Sequence, residues 1–302
     1  MAEAAGGDAR VAMAVGAAVV AISTAAPVIR LAAPFGPEAV ACLRLTVTTL
    51  GLALLAAPAT VRALRLLAGS PREAKLTLLA GLCLAAHFGA WISSLWLTSV
   101  VRSVALVTTT PLWAALLARV LGDAAPRRVY LGTAVAVAGT VIMVAEPGAF
   151  SGGGSWVGDL LALSGAVTAA VYLSIGRHVH GRLGDALPVE GYFVSVNLVA
   201  CAGLWAFALI RGADLSPLGV GTNDFLAILW LGLVPGIVGH GLLNWAVRRL
   251  PVHTVAVATL LEPVGAAAIA WVLLGEAVAG REAVGALVLL AGVALGLPKS
   301  ER

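Results

Sequence analysis

Leu261-Glu262-Pro263-Val264-Gly265-Ala266-Ala267, running on through apolar residues to Leu274-Gly275-Glu276, is nearly a second copy of an earlier stretch. That stretch reads Thr110-Pro111-Leu112-Trp113-Ala114-Ala115 and runs on to Gly122-Asp123. The two prolines lie 152 residues apart. A further apolar segment with a glycine pair follows each, Gly132/Gly139 and Gly285/Gly292, and the pairs lie 153 residues apart. A chain of 302 residues with such a period is a duplicated unit. In a membrane protein, duplication on this scale points to transport.

The composition places the chain in lipid. It is 60% hydrophobic and 11% charged, with a mean hydropathy of +1.00, whereas a soluble domain is about half apolar and about a quarter charged. The net charge of +4 is no nucleic-acid signal, because the basic residues are scattered among loops. Cys42, Cys83 and Cys201 each fall inside an apolar run without a CxxC partner, so no disulfide or metal role is expected. The Val11–Ile29 run is long enough to span, and its flank is not basic, so it reads as a first helix and not a cleaved leader. The high Ala, Gly and Val content suggests a bacterial source.

Windows of about 20 apolar residues give spans near 11–30, 38–57, 76–98, 101–121, 129–146, 157–176, 188–210, 225–247, 252–274 and 283–298. The linker Pro147–Ser155, with Gly152-Gly153-Gly154, separates a first unit at 1–150 from a second at 151–302. With the N-terminus inside, fourteen Lys and Arg fall on inner segments, and only Arg30, Arg102, Arg211 and Arg281 fall on outer ones. That bias favours ten spans with both termini in the cytoplasm. Five spans per half invert the second half relative to the first, which is the symmetry alternating access uses. The expected fold is therefore an all-α integral membrane protein, ten transmembrane helices as two inverted five-helix repeats. Gly232, Gly236 and His240 recur every four residues, as do Gly292 and Gly296, a spacing that lets helices touch.

Glu262 is the leading functional candidate. It lies midway along its span, where a lipid-facing carboxylate costs roughly 3 kcal/mol or more. It must face the interior, either as a protonation-linked switch or as a packing bond to a neighbour. Its counterpart is Thr110. Pro263 and Pro111 each deny a partner to the carbonyl four residues back, those of Thr259 and Val107, and two kinks with free carbonyls would line a cavity. His87 shares a helix face with Trp91 and Ser94, and His240 shares one with Asn244 on the matching span. A His in each matched helix could relay protons, although for either alone a neutral ring satisfied by a backbone carbonyl is favoured. Arg44 lies about 9 Å inside its span at 1.5 Å per residue. It either snorkels or meets an anion or carboxylate at the outer mouth of a cavity. Asn197 and Tyr172 are weaker candidates. The tryptophans could stack on a flat substrate or anchor span ends. Asp123 and Glu276 read as helix-end residues, and His178, His180 and His253 as solvated. GxxxxGK[ST], HExxH and GxSxG are absent, as are a close acidic cluster and a TVGYG-like filter, so no catalytic residue, metal or cofactor is expected.

The chain resembles the EamA-type transporters of the drug/metabolite transporter superfamily over about Ala12 to Leu297. The resemblance is carried by the two repeat signatures, by Ala26-Pro27, and by Arg44 with its flanking leucines. It departs where the first signature ends in Gly122-Asp123 instead of Gly-Glu. The resemblance implies two inverted five-helix repeats, a central cavity, and proton-linked or facilitated movement of small metabolites, often outward. The resulting expectation is a secondary transporter in the cytoplasmic membrane, most plainly an exporter of amino acids, related compounds or drugs. Its partners would be a small-molecule substrate, the lipid bilayer and candidate coupling protons, with no nucleic acid, in a monomer or homodimer. The rivals are a passive channel or lipid scramblase, and an integral membrane enzyme acting on lipid-linked substrates.

Overall fold

Prolines that interrupt the sequence mark where helices begin. Pro37 and Pro71 each occupy the first helical position, where a missing N–H costs nothing and the fixed φ suits the helix. In the computed structural model the residues described are 2–32, 34–120, 126–144, 155–215, 220–247, 249–250, 252–275 and 279–296. Among them every regular element is helical. The first half contains α1 (Ala2–Ser23), α2 (Ala25–Leu31), α3 (Pro37–Leu55), α4 (Ala57–Ala68), α5 (Pro71–Ser94), α6 (Val100–Val107), α7 (Thr110–Val120) and α8 (Arg127–Val144). The second contains α9 (Ser155–Leu183), α10 (Val189–Ile210), α11 (Thr222–Leu231), a π-helical segment (Gly232–Gly239), α12 (His240–Val247), α13 (Val252–Thr259), α14 (Glu262–Leu274) and α15 (Gly280–Gly296).

Six helical stretches among the described residues are long and apolar enough to cross a membrane: Arg10–Leu31, Pro37–Leu55, Pro71–Ser94, Trp156–Ala186, Val189–Ile210 and Thr222–Ala246. The expected spans at 101–121 and 252–274 are each two short helices broken just before the repeated proline. α14 ends on Gly275, whose φ of 68° gives the left-handed cap that glycine tolerates best. The linker around Gly152-Gly153-Gly154, and the helix ends at Asp123 and Glu276, lie outside the described residues.

α4 was not among the expected elements. Thr60, Ala63 and Leu67 form its buried stripe, and Arg62 and Arg65 stay exposed. Its backbone meets α10 at Gly191, where a Cβ would lie 2.7 Å from the Ala63 methyl.

Contacts between helices come in exchange-related pairs. α1 packs on α14 and α9 on α7; α1 packs on the π segment and α12, and α9 on α5. α8 and α15 make the most extensive contact of all. There the glycine pairs meet backbone to backbone. A Cβ on Gly139 would lie 2.5 Å from the Gly285 carbonyl oxygen, and one on Gly292 would lie 2.7 Å from that of Gly132. Lipid tails are as apolar as Leu, so close contact of small residues is what holds such helices together.

The π segment has its own cause. Pro235 has no N–H for the Leu231 carbonyl, and the ladder widens around it. Thr48 of α3 compensates. Its hydroxyl lies 2.9 Å from the Gly232 carbonyl oxygen and 3.0 Å from that of Arg44. Gly232 and Gly236 leave the room that lets Val47 and Thr48 approach.

Candidate functional site

The two proline breaks are built differently. In the first, three consecutive threonines close the end of α6. Thr108 donates to the Val104 carbonyl at 2.8 Å, Thr109 to that of Leu106 at 2.7 Å and Thr110 to that of Val107 at 2.7 Å. The Val107 carbonyl, expected to be free, is therefore taken by the hydroxyl of Thr110 itself. The second break has Leu260 and Leu261 in place of the first two threonines. Their amides turn back to Val257 and Ala258 at 3.1 Å each, and Glu262 starts α14.

Between the breaks lies a cavity of about 970 Å³, at the upper end of the range for small-molecule sites. Glu262, His87, His240, Asn244, Trp91, Arg44, Thr110, Asn197 and Tyr172 all line it, as does Pro111; Pro263 does not. These residues, from seven different helices, thus converge on one space.

The polar lining is organised around an aromatic belt. His87 stacks on Trp91 at 6.0 Å between ring centroids, and Phe88 meets His240 edge-on at 6.2 Å. The His87 Nδ1 lies 2.9 Å from the Gly165 carbonyl. A carbonyl only accepts, so Nδ1 carries a proton in this contact. Asn197 and Asn244 each donate to the carbonyl four residues back in their own helix, at 2.8 and 2.7 Å. Ser94 turns away from His87 and pairs with Ser103 at 2.6 Å.

Arg44 does not snorkel. Its residue is 1% exposed, and its guanidinium lies 4.6 Å from the Phe88 ring and 5.8 Å from the Trp91 ring. Among the tryptophans of the described residues, Trp91 alone lines the cavity. Trp230 donates to Thr24, Trp245 carries Arg249 over its face, and Trp271 is exposed. His178 is exposed, whereas His180 is half-buried against Tyr192, with ring centroids 4.8 Å apart. The side chain of His253 lies outside the described residues.

The cavity lining runs out to Arg177, His178 and Gly181, all exposed. Off the lining, Arg102 forms an ion pair with Asp159, with Nε 3.2 Å from Oδ1. Thr98 donates to the same carboxylate oxygen at 3.2 Å, and Arg30 donates to the Thr98 carbonyl at 3.0 Å. Phe35, five positions after Arg30, packs edge to face on Phe225, with centroids 5.3 Å apart. This network ties α2, α6 and α9 together. Sequence reasoning missed Asp159, Thr98 and Phe88. Asp159 is the one charged residue of the 157–176 run, and its place near the run's start disguised it as a boundary residue.

A bundle of membrane-length apolar helices around one polar-lined cavity defines a multi-pass membrane transporter. The EamA-like transporter family model matches residues 156–297. The probable terminal-alkyne amino-acid exporter of Streptantibioticus cattleyicolor is 30% identical over 293 residues, covering 92% of this chain and 90% of that protein. The chain belongs to this transporter family. The probable amino-acid metabolite efflux pump of Salmonella typhimurium is 28% identical over 189 residues, covering 59% of this chain and 60% of its own. A crystal structure of another protein has the same fold, with a TM-score of 0.73 at 21% identity over 95% of this chain and 96% of that one.

Proposed function

We propose that this protein exports small metabolites, amino acids or their relatives foremost, by alternating access across the cytoplasmic membrane. The observation that carries the reading is the cavity lined by both broken helices, which reaches the surface at Arg177 and His178; in this reading the Arg102–Asp159 pair closes the opposite end. The basic residues at the open end are those sorted to the cytoplasm by the positive-inside bias. This arrangement is then the inward-open state, with both termini inside.

Ten spans in two inverted repeats, 1–150 and 151–302, fit the paired helix contacts. In this reading α6 with α7, and α13 with α14, are the fourth spans of the two repeats. Rocking of the halves would break the Arg102–Asp159 network and close the Arg177 end. Glu262 serves as the protonation-linked switch, and His87, Trp91, His240 and Asn244 contact the substrate. The names of the two relatives support amino-acid-type cargo.

The test uses purified protein in liposomes. A thermal-shift screen against amino acids, nucleobases and cationic drugs selects ligands, whose uptake is then followed with and without a proton gradient. Saturable, gradient-driven flux is expected. Flux that never saturates would make the protein a channel, and saturable flux that ignores the gradient would make it a facilitator and remove Glu262 from the coupling role.

A further inference from the structure

Buried polar atoms in proteins are almost always hydrogen-bonded, and each one left unpaired is costly. Among the described residues few are not, and three of these belong to one place: Nε and Nη1 of Arg44 and Nε1 of Trp91. Arg44 is 1% exposed and Trp91 4% exposed. Both line the cavity. They come from α3 and α5, and the guanidinium carbon lies over the Trp91 ring at 5.8 Å from its centroid.

Among the described residues no acceptor hydrogen-bonds these donors. The only acidic residue on the cavity lining is Glu262, and it forms no ion pair with Arg44 among the described residues. The guanidinium is nonetheless held in place. Phe88 lies under it at 4.6 Å, and the backbone that carries it is pinned where Thr48 bonds the Arg44 carbonyl at 3.0 Å. A fixed, planar guanidinium with two unanswered N–H groups, one on each side of Nη2, is the complement of a carboxylate, which can bond either of them together with Nη2 and has lone pairs left for an indole N–H. The surroundings of the pair, with Ile22, Leu45, Leu84 and Phe193 on the same lining, are apolar and suit an apolar side chain.

We propose that Arg44 and Trp91 form a carboxylate-binding subsite, and that the transported molecule must carry a free carboxylate. This rests on the transporter reading above and narrows it. Amines, amides and esters of the same skeleton are poor cargo, because they leave the buried cation unanswered.

The test is counterflow of a labelled mixture of neutral amino acids in liposomes containing the full-length protein. The unlabelled competitors are leucine, leucinamide, isoamylamine and chloride. Leucine should compete at least about tenfold better than its amide or amine. Arg44→Lys, which keeps the charge and loses the fork, should weaken leucine competition by about tenfold or more. Trp91→Phe should weaken it less, since it removes one donor and keeps the ring. Arg44→Met distinguishes a binding role from a structural one: it removes an uncompensated buried charge, so transport is lost while the melting temperature stays level or rises. A lower melting temperature for Arg44→Met would make Arg44 a structural cation and overturn the proposal. Equal competition by leucinamide, isoamylamine or chloride would also overturn it, and would leave the transporter reading standing. If the wild-type protein shows no counterflow of the mixture at all, the amino-acid reading falls and takes the subsite with it.

Discussion

The α8–α15 contact and the two proline breaks each bring together near-matching stretches 152 or 153 residues apart, yet those stretches differ to different degrees. At the α8–α15 contact the repeated residues are the same. Gly132/Gly139 face Gly285/Gly292 with backbones touching. At the breaks the geometry repeats but the leading residue does not. Thr110 uses its hydroxyl to close the Val107 carbonyl, whereas Glu262 presents a carboxylate to the cavity. Where the halves hold each other, packing tolerates only the smallest residue on both sides. Where they line the cavity, one hydrogen-bonded turn is enough for support, and the other copy is free to carry charge.

The largest expected effect tests the first half of this comparison. Gly139→Leu places a side chain where Gly285 and Leu289 backbone atoms already lie. It should destabilise the fold by about 3 kcal/mol, the upper range for overpacking, read as a lower melting temperature in detergent. An unchanged melting temperature would mean that α8 and α15 do not meet there.

Glu262→Gln tests the second half. It keeps the shape and removes the charge, so the melting temperature should hold. Transport should fall by about tenfold or more, as for loss of a charged hydrogen bond, and the remaining flux should no longer follow pH. Pronounced unfolding of the variant would place Glu262 with the packing residues.

The Arg102–Asp159 pair, the closed end of the proposed inward-open state, gives a smaller effect. In a double-mutant cycle, Arg102→Gln and Asp159→Asn should show a coupling of roughly 1 to 2 kcal/mol for a partly buried contact pair. Each single variant should also shift the transport rate by altering the balance between inward-open and outward-open forms. Strict additivity of the two substitutions would remove this pair from the closed end.

Thr110→Val is the mildest change. It removes the bond to the Val107 carbonyl and should cost about 1 kcal/mol, with transport largely retained. A loss of transport as deep as that of Glu262→Gln would show that the two breaks are chemically equivalent after all.

Much of this architecture was legible in the residues. Apolar runs identify membrane-length helices because their composition is itself the physical requirement of lipid. The prolines locate both breaks because a missing N–H acts locally. The helix α4 was less visible: its apolar stripe of Thr60, Ala63 and Leu67 is narrow, and its arginines read as a loop. The closing of the Val107 carbonyl was also hidden, because a threonine hydroxyl competes with the proline's effect only once the chain has turned.

By itself the sequence determined the class of protein and the break points, and it pointed to polar residues that line the cavity, since each follows from composition, the missing proline N–H or the cost of burying charge. The tertiary structure alone decided which of those residues meet. His87, Arg44 and His240 are far apart in the chain and join one aromatic belt around one cavity. Arg102 finds Asp159 across 57 positions. Arg44 is left beside Trp91 without an acceptor. Helix periodicity tells which residues share a face of one helix, but the pairing of faces is set by where small residues let backbones approach, and that is a property of two helices at once.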